Sequence, residues 1–315
     1  MKADPKVMTI PPEYAGQRLD QALARMFPEY SRSKLKAWLL SGAITVDGAS
    51  PRPRDPVNGG ETVEVRKVTA ASSADAPEPI ALDVVYEDEA LMVINKPVGL
   101  VVHPGAGNPG GTLLNGLLSH AAELAQLPRA GIVHRLDKDT SGLLLIGKTL
   151  EAYTALVRLL GQREIARFYL AVCNGVLTGG GIVDEPIGRH PVDRKRMCIR
   201  QDGKPAVTRY TVLERFRAHT YISVSLETGR THQIRVHMAH RRHALVGDPT
   251  YGGRLALPAG ASTALIDRLR GFKRQALHAT RLEFVHPASG APLRLEAPPP
   301  ADFVALLETL REDAA

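Results

Sequence analysis

The sequence contains little cysteine and few aromatic residues. Among its 315 residues there are two cysteines, one tryptophan and 5% aromatic side chains in total. The two cysteines, Cys173 and Cys198, cannot form the disulfide framework that stabilises small secreted proteins. The low cysteine content therefore favours a reducing compartment, and we expect a cytoplasmic protein.

Long hydrophobic runs are also missing. No apolar stretch approaches the ~20 residues that cross a bilayer, and residues 1–6 have no apolar core of the kind found in signal peptides. We therefore expect no membrane partner. A sustained heptad pattern is missing as well, which makes a monomer the default expectation. With 315 residues, of which 44% are hydrophobic and 23% charged, the chain can form one large globular domain or two unequal ones.

Acidic residues are fewer than basic ones, and the basic residues are clustered. The 40 Lys and Arg against 33 Asp and Glu give a formal charge of +7. Residues 189–200 contain five basic residues and one acid, and residues 230–243 contain four Arg, four His and no acid. One such run is usually a solvated face. Two runs around the same core favour a groove for a polyanion such as nucleic acid.

Residues 16–66 form a first module. Apolar residues from Leu19 onward recur at helical spacing and predict one short helix, and a second helix is predicted to end at Gly42. Residues 43–46 and 62–65 then have the pattern of two partner strands. The module therefore consists of two short helices followed by a small sheet.

The rest of the chain has a different texture. Residues 1–15 are an N-terminal segment without a predicted element, and residues 67–80 are small, polar and proline-bearing, as in a flexible linker. Residues 81–315 contain many short β-like runs that helical patterns interrupt. Because strands and crossover helices do not alternate regularly, we predict an α+β domain with a mainly antiparallel mixed sheet.

The most informative stretch is residues 131–142, GIVHRLDKDTSG. Asp137 follows an apolar pair and an arginine and precedes a Thr-Ser-Gly turn, after which residues 143–146 are apolar. The carboxylate is therefore expected to be fixed between buried backbone segments. The residues alone leave three roles open for Asp137: a nucleophile, a general base or a cap of the turn. Asp139 also allows a glycosidase pair, although a basic groove is a poor sugar site.

This stretch resembles the signature His-Arg-Leu-Asp-x-x-Thr-Ser-Gly of the RluA-type RNA pseudouridine synthases. Five further segments resemble motifs of that family in the same order, namely residues 94–104, 167–171, 226–237, 247–252 and 275–279. Residues 16–66 resemble the S4 RNA-binding module. The resemblance implies an α+β protein with a small N-terminal S4 module (αL-type) and a large catalytic domain, residues 81–315, of the pseudouridine synthase fold.

The resemblance also implies an activity and a set of active-site residues. Uridine is isomerised to pseudouridine with Asp137 as the nucleophile, and because the reaction has no net redox change, no cofactor is expected. Arg230 is expected to keep Asp137 charged, since a neighbouring guanidinium favours an ionised carboxylate. Tyr169 is expected to lie against the uracil ring, although a tyrosine in a strand pattern more often packs in a core. Arg135 is expected to fill the space that the flipped base leaves, with His134 beside it as a further active-site residue.

Basic residues outside the signature are expected to contact RNA phosphates. They comprise Arg32, Lys34 and Lys36 of the S4-like module, Arg194, Lys195 and Arg196 of the first basic run, and Arg235 of the second. His232, His237 and His240 also lie in the second run. Their spacing is not that of a zinc hydrolase helix, so no metal site is expected, and phosphate contact or packing is the alternative.

Within the family, the S4-bearing enzymes that modify the large ribosomal subunit resemble this sequence most, through segments such as residues 184–191 and 203–207. The expected partner is therefore 23S rRNA, free or in an assembling large subunit, and the expected target is the helix 69 stem-loop. Two alternatives stay open. One is a sibling subclass that modifies other uridines of the same RNA, and the other is a non-catalytic assembly factor that only binds RNA.

Overall fold

The computed structural model of the protein describes residues 6–28, 30, 32–65, 76–105, 107–255 and 257–314. The chain divides into two compact units, Met1–Ser72 and Ser73–Ala315. This boundary falls within the predicted linker, of which residues 67–75 lie outside the described residues. The side chain of Lys34, one of the predicted RNA contacts, also lies outside them.

The first unit contains a three-stranded antiparallel sheet and two helices. Along the chain its elements are β1 (Lys6–Thr9), α1 (Leu19–Met26), α2 (Arg32–Leu40), β2 (Ile44–Val46) and β3 (Thr62–Val65). Strand β3 lies between β1 and β2. The two helices and the pair β2–β3 agree with the sequence prediction. Strand β1 is an addition, because the sequence pattern predicts no element before residue 16.

One apolar core holds the first unit together. Leu19 and Leu23 on α1 and Leu35 and Leu39 on α2 are buried together with Val63 of β3. Side chains four residues apart lie on the same face of a helix, so each helix presents one apolar stripe to this core. Burial of each such side chain contributes about 1.5–3 kcal/mol, which a module of this size needs in order to fold.

The second unit contains the larger sheet. Its strands are β4 (Val84–Glu87), β5 (Leu91–Lys96), β6 (Ser141–Gly147), β7 (Ala166–Asn174), β8 (Gly181–Asp184), β9 (Ile187–Arg189), β10 (Met197–Ile199), β11 (Val207–Arg215), β12 (His219–Leu226), β13 (Leu277–Val285) and β14 (Pro292–Glu296). Within the described residues, nine of them form one sheet in the order β4-β5-β6-β13-β7-β12-β11-β8, with β14 paired to β13, while β9 and β10 form a separate hairpin. Only β6 and β13 are parallel in that sheet. The predicted α+β fold with a mainly antiparallel mixed sheet is thereby confirmed.

The helices of the second unit begin at residues that cap their first turn. They are α3 (Leu113–His120), α4 (Leu150–Gln162), α5 (Gln233–His240), α6 (Thr263–Gly271) and α7 (Ala301–Ala314). Thr112 and Asn115 form a capping box on α3, and the hydroxyls of Thr149 and Ser262 accept backbone hydrogen bonds at the starts of α4 and α6. None of the helices in the described residues has the length and hydrophobicity needed to traverse a bilayer.

Strand β6 is buried along its whole length. A strand covered on both faces has a continuous apolar sequence, which explains the leucine run that the sequence shows here. Gly142 has a φ of +112°, and a Cβ at this position would collide with the backbone of Ala279 in β13, so glycine is required. The hydroxyl of Ser141 lies 2.9 Å from Nδ1 of His278, also in β13. These contacts fix the start of β6, directly after the loop that carries Asp137.

Candidate active site

A fully buried lysine fastens the loop of Asp137 to the end of β5. Nζ of Lys96 donates hydrogen bonds to the carbonyl oxygens of Pro97, Leu100 and Lys138 at 2.8, 3.0 and 2.9 Å. Burial lowers the pKa of Lys96 to about 8. Because the residue next to Asp137 is one of these three acceptors, the position of the carboxylate depends on Lys96. Lys96 lies in one of the family-like segments, residues 94–104, but its sequence context does not predict this role.

The guanidinium that contacts Asp137 belongs to Arg235. Its Nη1 lies 2.9 Å from Oδ2 of Asp137, and its Nε and Nη2 lie 2.7 and 2.9 Å from the two carboxylate oxygens of Asp248. The side chains of Arg235 and Asp248 are 5% and 0% exposed, whereas that of Asp137 is 16% exposed. One arginine therefore bridges two carboxylates, and only Asp137 keeps an edge open to solvent.

Arg230 lies elsewhere, which corrects the sequence prediction. Its Nε donates to the carbonyl oxygen of Pro205 at 3.0 Å, and among the described residues it forms no ion pair with Asp137. The prediction that Arg230 pairs with Asp137 is wrong, because Arg230 precedes helix α5 while Arg235 lies within it and faces the protein interior. The structure also contradicts the prediction of Arg235 as a phosphate contact, because its side chain is only 5% exposed and its guanidinium pairs with Asp137 and Asp248.

Asp248 anchors this cluster from the loop after residue 246. Burial opposes its ionisation most strongly, but hydrogen bonds and charge from Arg235 outweigh burial, so the pKa of Asp248 is lowered. Its Oδ1 also accepts the backbone N–H groups of Thr250 and Tyr251 at 2.8 and 3.0 Å. The segment 247–252 resembles a family motif, but the sequence did not predict a role for Asp248. The one sequence feature that could have indicated it is an acid five residues after the His-rich run 230–243.

Tyr169 lies in β7 and is 5% exposed. It belongs to the same apolar cluster as Leu136, the residue before Asp137. Burial raises the pKa of Tyr169, the positive charge of Arg167 lowers it, and the negative charge of Asp137 raises it again. Tyr169 is therefore a protonated phenol that packs in the core near the candidate nucleophile, and the core-packing and active-site interpretations both fit its position.

His134 supports the loop from the other side. Its Nε2 accepts a hydrogen bond from the backbone N–H of Leu145 in β6 at 3.2 Å. Burial lowers the pKa of His134 to about 3, and the charge of Arg167 acts in the same direction. A neutral imidazole that braces the loop against β6 is a positioning residue. Arg135, the next residue, is exposed. Its positive charge contributes to lowering the pKa of His232.

Arg167 is a buried cation that the sequence analysis did not single out. It is 7% exposed, and its Nε has no hydrogen-bond partner among the described residues. Alternate residues of a strand point to the same face, so Arg167 shares the face of Tyr169. A Cβ on Gly229 would come within 2.7 Å of Nη1 of Arg167, so a larger residue there would displace the guanidinium.

His232 and Tyr251 complete the surroundings of Asp137. Nε2 of His232 lies 3.8 Å from Oδ1 of Asp137, and its Nδ1 lies 2.8 Å from the hydroxyl of Tyr251. Burial lowers the pKa of His232, the charge of Asp137 raises it, and that of Arg235 lowers it. His232 adopts a left-handed backbone conformation, φ +57°, directly before α5, which turns its ring toward Asp137.

The remaining predicted RNA contacts differ in how exposed they are. Lys36, Arg194 and Lys195 are exposed. Arg32 is also largely exposed, although its guanidinium is 2.7 Å from the carboxylate of Asp20. Arg196 is half-buried, with its Cζ 5.4 Å from the centre of the Tyr251 ring.

His237 was predicted either to pack or to contact phosphate. In the structure it packs in the protein interior. Nδ1 of His237 lies 2.9 Å from the hydroxyl of Thr208, and its Nε2 lies 3.0 Å from the carbonyl oxygen of Glu185. The residue is fully buried and burial lowers its pKa. His237 therefore ties α5 to the edge of the sheet.

Comparison with known proteins shows the family of the chain. Residues 90–240 match the family model of RNA pseudouridylate synthases, and residues 17–63 match that of the S4 domain. The chain is 57% identical over 97% of its length to "Ribosomal large subunit pseudouridine synthase D" of Xanthomonas campestris pv. campestris, and 56% identical over 98% to the protein of that name from Xylella fastidiosa, covering 92% and 93% of those proteins.

A solved structure, human RNA pseudouridylate synthase domain containing 4, superposes with a TM-score of 0.57 at 27% identity, over 72% of this chain and 92% of that one. Sequence identity above one half over nearly the whole chain means shared descent and a shared fold. The loop of Asp137, the bridging Arg235 and strand β7 with Tyr169 all lie within the matched range 90–240. The chain belongs to the RNA pseudouridine synthase family and carries an N-terminal S4 domain.

Proposed function

We propose that this protein isomerises specific uridines of 23S rRNA to pseudouridine, with Asp137 as the nucleophile. The observation that carries the proposal is the arrangement of Asp137, Arg235 and Asp248, in which a buried guanidinium leaves one carboxylate edge accessible. The relatives of highest identity given above are named as pseudouridine synthases of the large ribosomal subunit. We further propose that the protein acts as a monomer, since one chain supplies every residue that the proposal uses, and that it acts in the cytoplasm, where bacterial ribosomes assemble.

The chemistry fits a carboxylate that is charged and partly accessible. The C1′–N1 bond of uridine breaks, a C1′–C5 bond forms, the hydrogen on C5 leaves as a proton, and N1 gains a proton. Arg235 holds Oδ2 of Asp137, so Oδ1 is the oxygen free to attack the ribose or the pyrimidine ring. No redox step occurs in this sequence, and no cofactor is needed to balance it.

Tyr169 and Arg167 contribute a neutral aromatic ring and a positive charge to the surroundings of Asp137. The phenol of Tyr169 stays protonated, so the uracil ring would pack against a neutral aromatic group. A guanidinium on the same strand face adds positive charge where the detached base would carry negative charge. We propose that Tyr169 contacts the base, and that Arg32, Lys36, Arg194 and Lys195 contact phosphates along the RNA.

The target is tested by mapping pseudouridine on unmodified 23S rRNA. The purified protein is incubated with the transcript, pseudouridine is labelled with carbodiimide, and reverse-transcription stops are located. We expect stops within the helix 69 stem-loop. Stops elsewhere in the RNA would assign the protein to the sibling subclass, and RNA binding without any stop would identify a non-catalytic assembly factor.

Replacing Arg135 by Ala should slow turnover more on structured RNA than on a flexible oligonucleotide. Taking a base out of its stack costs a few kcal/mol, and a guanidinium that fills the vacated space offsets part of that cost. We expect a loss of about tenfold or more on a stem-loop and a much smaller loss on an unstructured strand. Single-turnover rates on both substrates measure this, with Arg158→Ala, an exposed arginine of α4, as the control. Equal losses on both substrates would reject the gap-filling role.

Arg230→Lys should change turnover by less than about tenfold, since the group lost is one hydrogen bond to a backbone carbonyl. Saturating single-turnover rates on the same RNA test this directly. A loss of about a thousandfold would mean that Arg230 moves to Asp137 when RNA binds, and that the pairing first predicted from the sequence is the active one.

A further inference from the structure

Tyr251 contacts both the candidate active site and the base of the basic hairpin β9–β10. Its hydroxyl accepts the backbone N–H of Met197, the first residue of β10, at 2.9 Å. The same hydroxyl lies 2.8 Å from Nδ1 of His232. The centre of its ring lies 5.4 Å from Cζ of Arg196 and 5.1 Å from Cζ of Arg235. One side chain therefore touches the hairpin twice and the surroundings of Asp137 twice.

The hydrogen bonds of the Tyr251 hydroxyl assign the tautomer of His232. The N–H of Met197 can only donate, so the phenol oxygen accepts it and its own proton is left to donate. Among the described residues, Nδ1 of His232 is the hydrogen-bond partner in reach of that proton, and we assign it as the unprotonated acceptor. The single proton of the neutral imidazole accordingly lies on Nε2, the atom that faces Oδ1 of Asp137 at 3.8 Å. At this distance the N–H attracts the carboxylate without forming a hydrogen bond, so Oδ1 is oriented but keeps its lone pairs free.

The hairpin is connected to the segment before β11 by paired backbone hydrogen bonds between Ile187 and Lys204, both 2.9 Å, and β10 is connected to Tyr251. In the described residues β9 and β10 form their own two-stranded sheet, and the exposed Arg194 and Lys195 lie in the turn between them. Its apolar side packs in a small cluster with Val236 of α5 and with Tyr251. Phosphates that bind at the turn would shift the hairpin, and its base is hydrogen-bonded to Tyr251 through the N–H of Met197.

We propose that Tyr251 is a positioning residue that couples RNA bound at the β9–β10 hairpin to the orientation of Asp137. One route runs through His232 to Oδ1, and the other through Arg235 to Oδ2. The inference rests on the proposed function, because it assumes that Asp137 acts on RNA. Tyr251 itself touches neither oxygen of Asp137, so its effect is on the geometry of the nucleophile.

The test compares Tyr251→Phe with the wild type on two substrates. One is a stem-loop long enough for its phosphates to reach the hairpin, and the other is a short single strand around the target uridine. The variant keeps the ring and both guanidinium contacts but loses the hydrogen bonds to Met197 and His232. We expect the saturating single-turnover rate on the stem-loop to fall about tenfold, with the dissociation constant changed less than about threefold and a smaller loss of rate, about threefold, on the short strand. Tyr153→Phe, a tyrosine of α4, is the matched control.

A double-variant cycle gives the second readout. In a protein with Arg194→Gln and Lys195→Gln, the turn of the hairpin loses its two exposed cations and binds phosphate more weakly, so Tyr251→Phe should add less than about a threefold loss. His232→Asn is a second variant, because asparagine tolerates the left-handed backbone at this position, and it should lower the rate on the stem-loop in the same way. Tyr251→Phe at full rate, or equal losses with and without the hairpin charges, would overturn the coupling. A wild-type protein that forms no pseudouridine on either RNA would instead refute the proposed function.

Discussion

Replacing Asp137 by Asn should abolish pseudouridine formation while leaving RNA binding intact. The amide cannot act as an anionic nucleophile, and loss of such a group costs about 10⁴-fold or more. The buried part of the site should survive, because Arg235 keeps both hydrogen bonds to Asp248. Single-turnover conversion of a helix 69 stem-loop, followed to the limit of detection, measures the rate, and filter binding measures affinity for the same RNA.

Asp139→Asn provides the matched control for this prediction. It removes the same charge two residues away in the same loop. Among the described residues the carboxylate of Asp139 makes no hydrogen bond or ion pair, and its charge raises the pKa of Lys96 without direct contact. We expect its rate to stay within about threefold of the wild type, the scale of a modest surface charge effect. A residual rate above about one per cent in Asp137→Asn would show that the carboxylate assists the reaction without forming a covalent bond.

Arg235→Lys should also inactivate the enzyme, and it should destabilise the fold. A planar guanidinium bridges two carboxylates, whereas an ammonium on a shorter reach can satisfy one of them. Breaking a buried charge pair costs about 3–5 kcal/mol, and misplacing the nucleophile should lower the rate about 10²-fold. Single-turnover assays and chemical denaturation test the two effects. Arg311→Lys, where an exposed arginine pairs with Glu214 on the protein surface, should change neither by more than about threefold or 1 kcal/mol.

The destabilisation by Arg235→Lys should shrink as the pH falls. In the wild type the pKa of Asp248 lies below its usual 3.8, so the cluster contributes stability above that pH and loses it on further acidification. Without the bridging guanidinium, burial dominates and raises the pKa of Asp248, so the variant regains stability on protonation. The difference in unfolding free energy between the wild type and Arg235→Lys should therefore be smaller at pH 4 than at pH 7. A constant difference between the two proteins would mean that Asp248 is not the group responsible.

Much of this protein could be predicted from local patterns. The helices and the pair β2–β3 of the S4 domain follow from apolar residues at helical or alternating spacing and from Gly42, where α2 has just ended. The mixture of strands and helices in the second unit predicted its α+β class. The motif around Asp137 pointed to the family, because several short segments in a fixed order carry more information than any one of them.

The tertiary structure alone decided which side chains meet Asp137. Arg230 and Arg235 lie in one basic run with equal chemistry, and only the packing of α5 turns Arg235 inward toward Asp137 and Asp248. The separations along the chain are large, as for Asp137 and Arg235, which are 98 residues apart. Sequence spacing sets the face of a helix or strand on which a residue lies, but contacts between distant segments depend on how those faces pack. For that reason the resemblance of its local motif pointed to Asp137 as the proposed nucleophile, while its ionic partner, the contacts of Tyr251 and the parallel pairing of β6 with β13 could not be predicted.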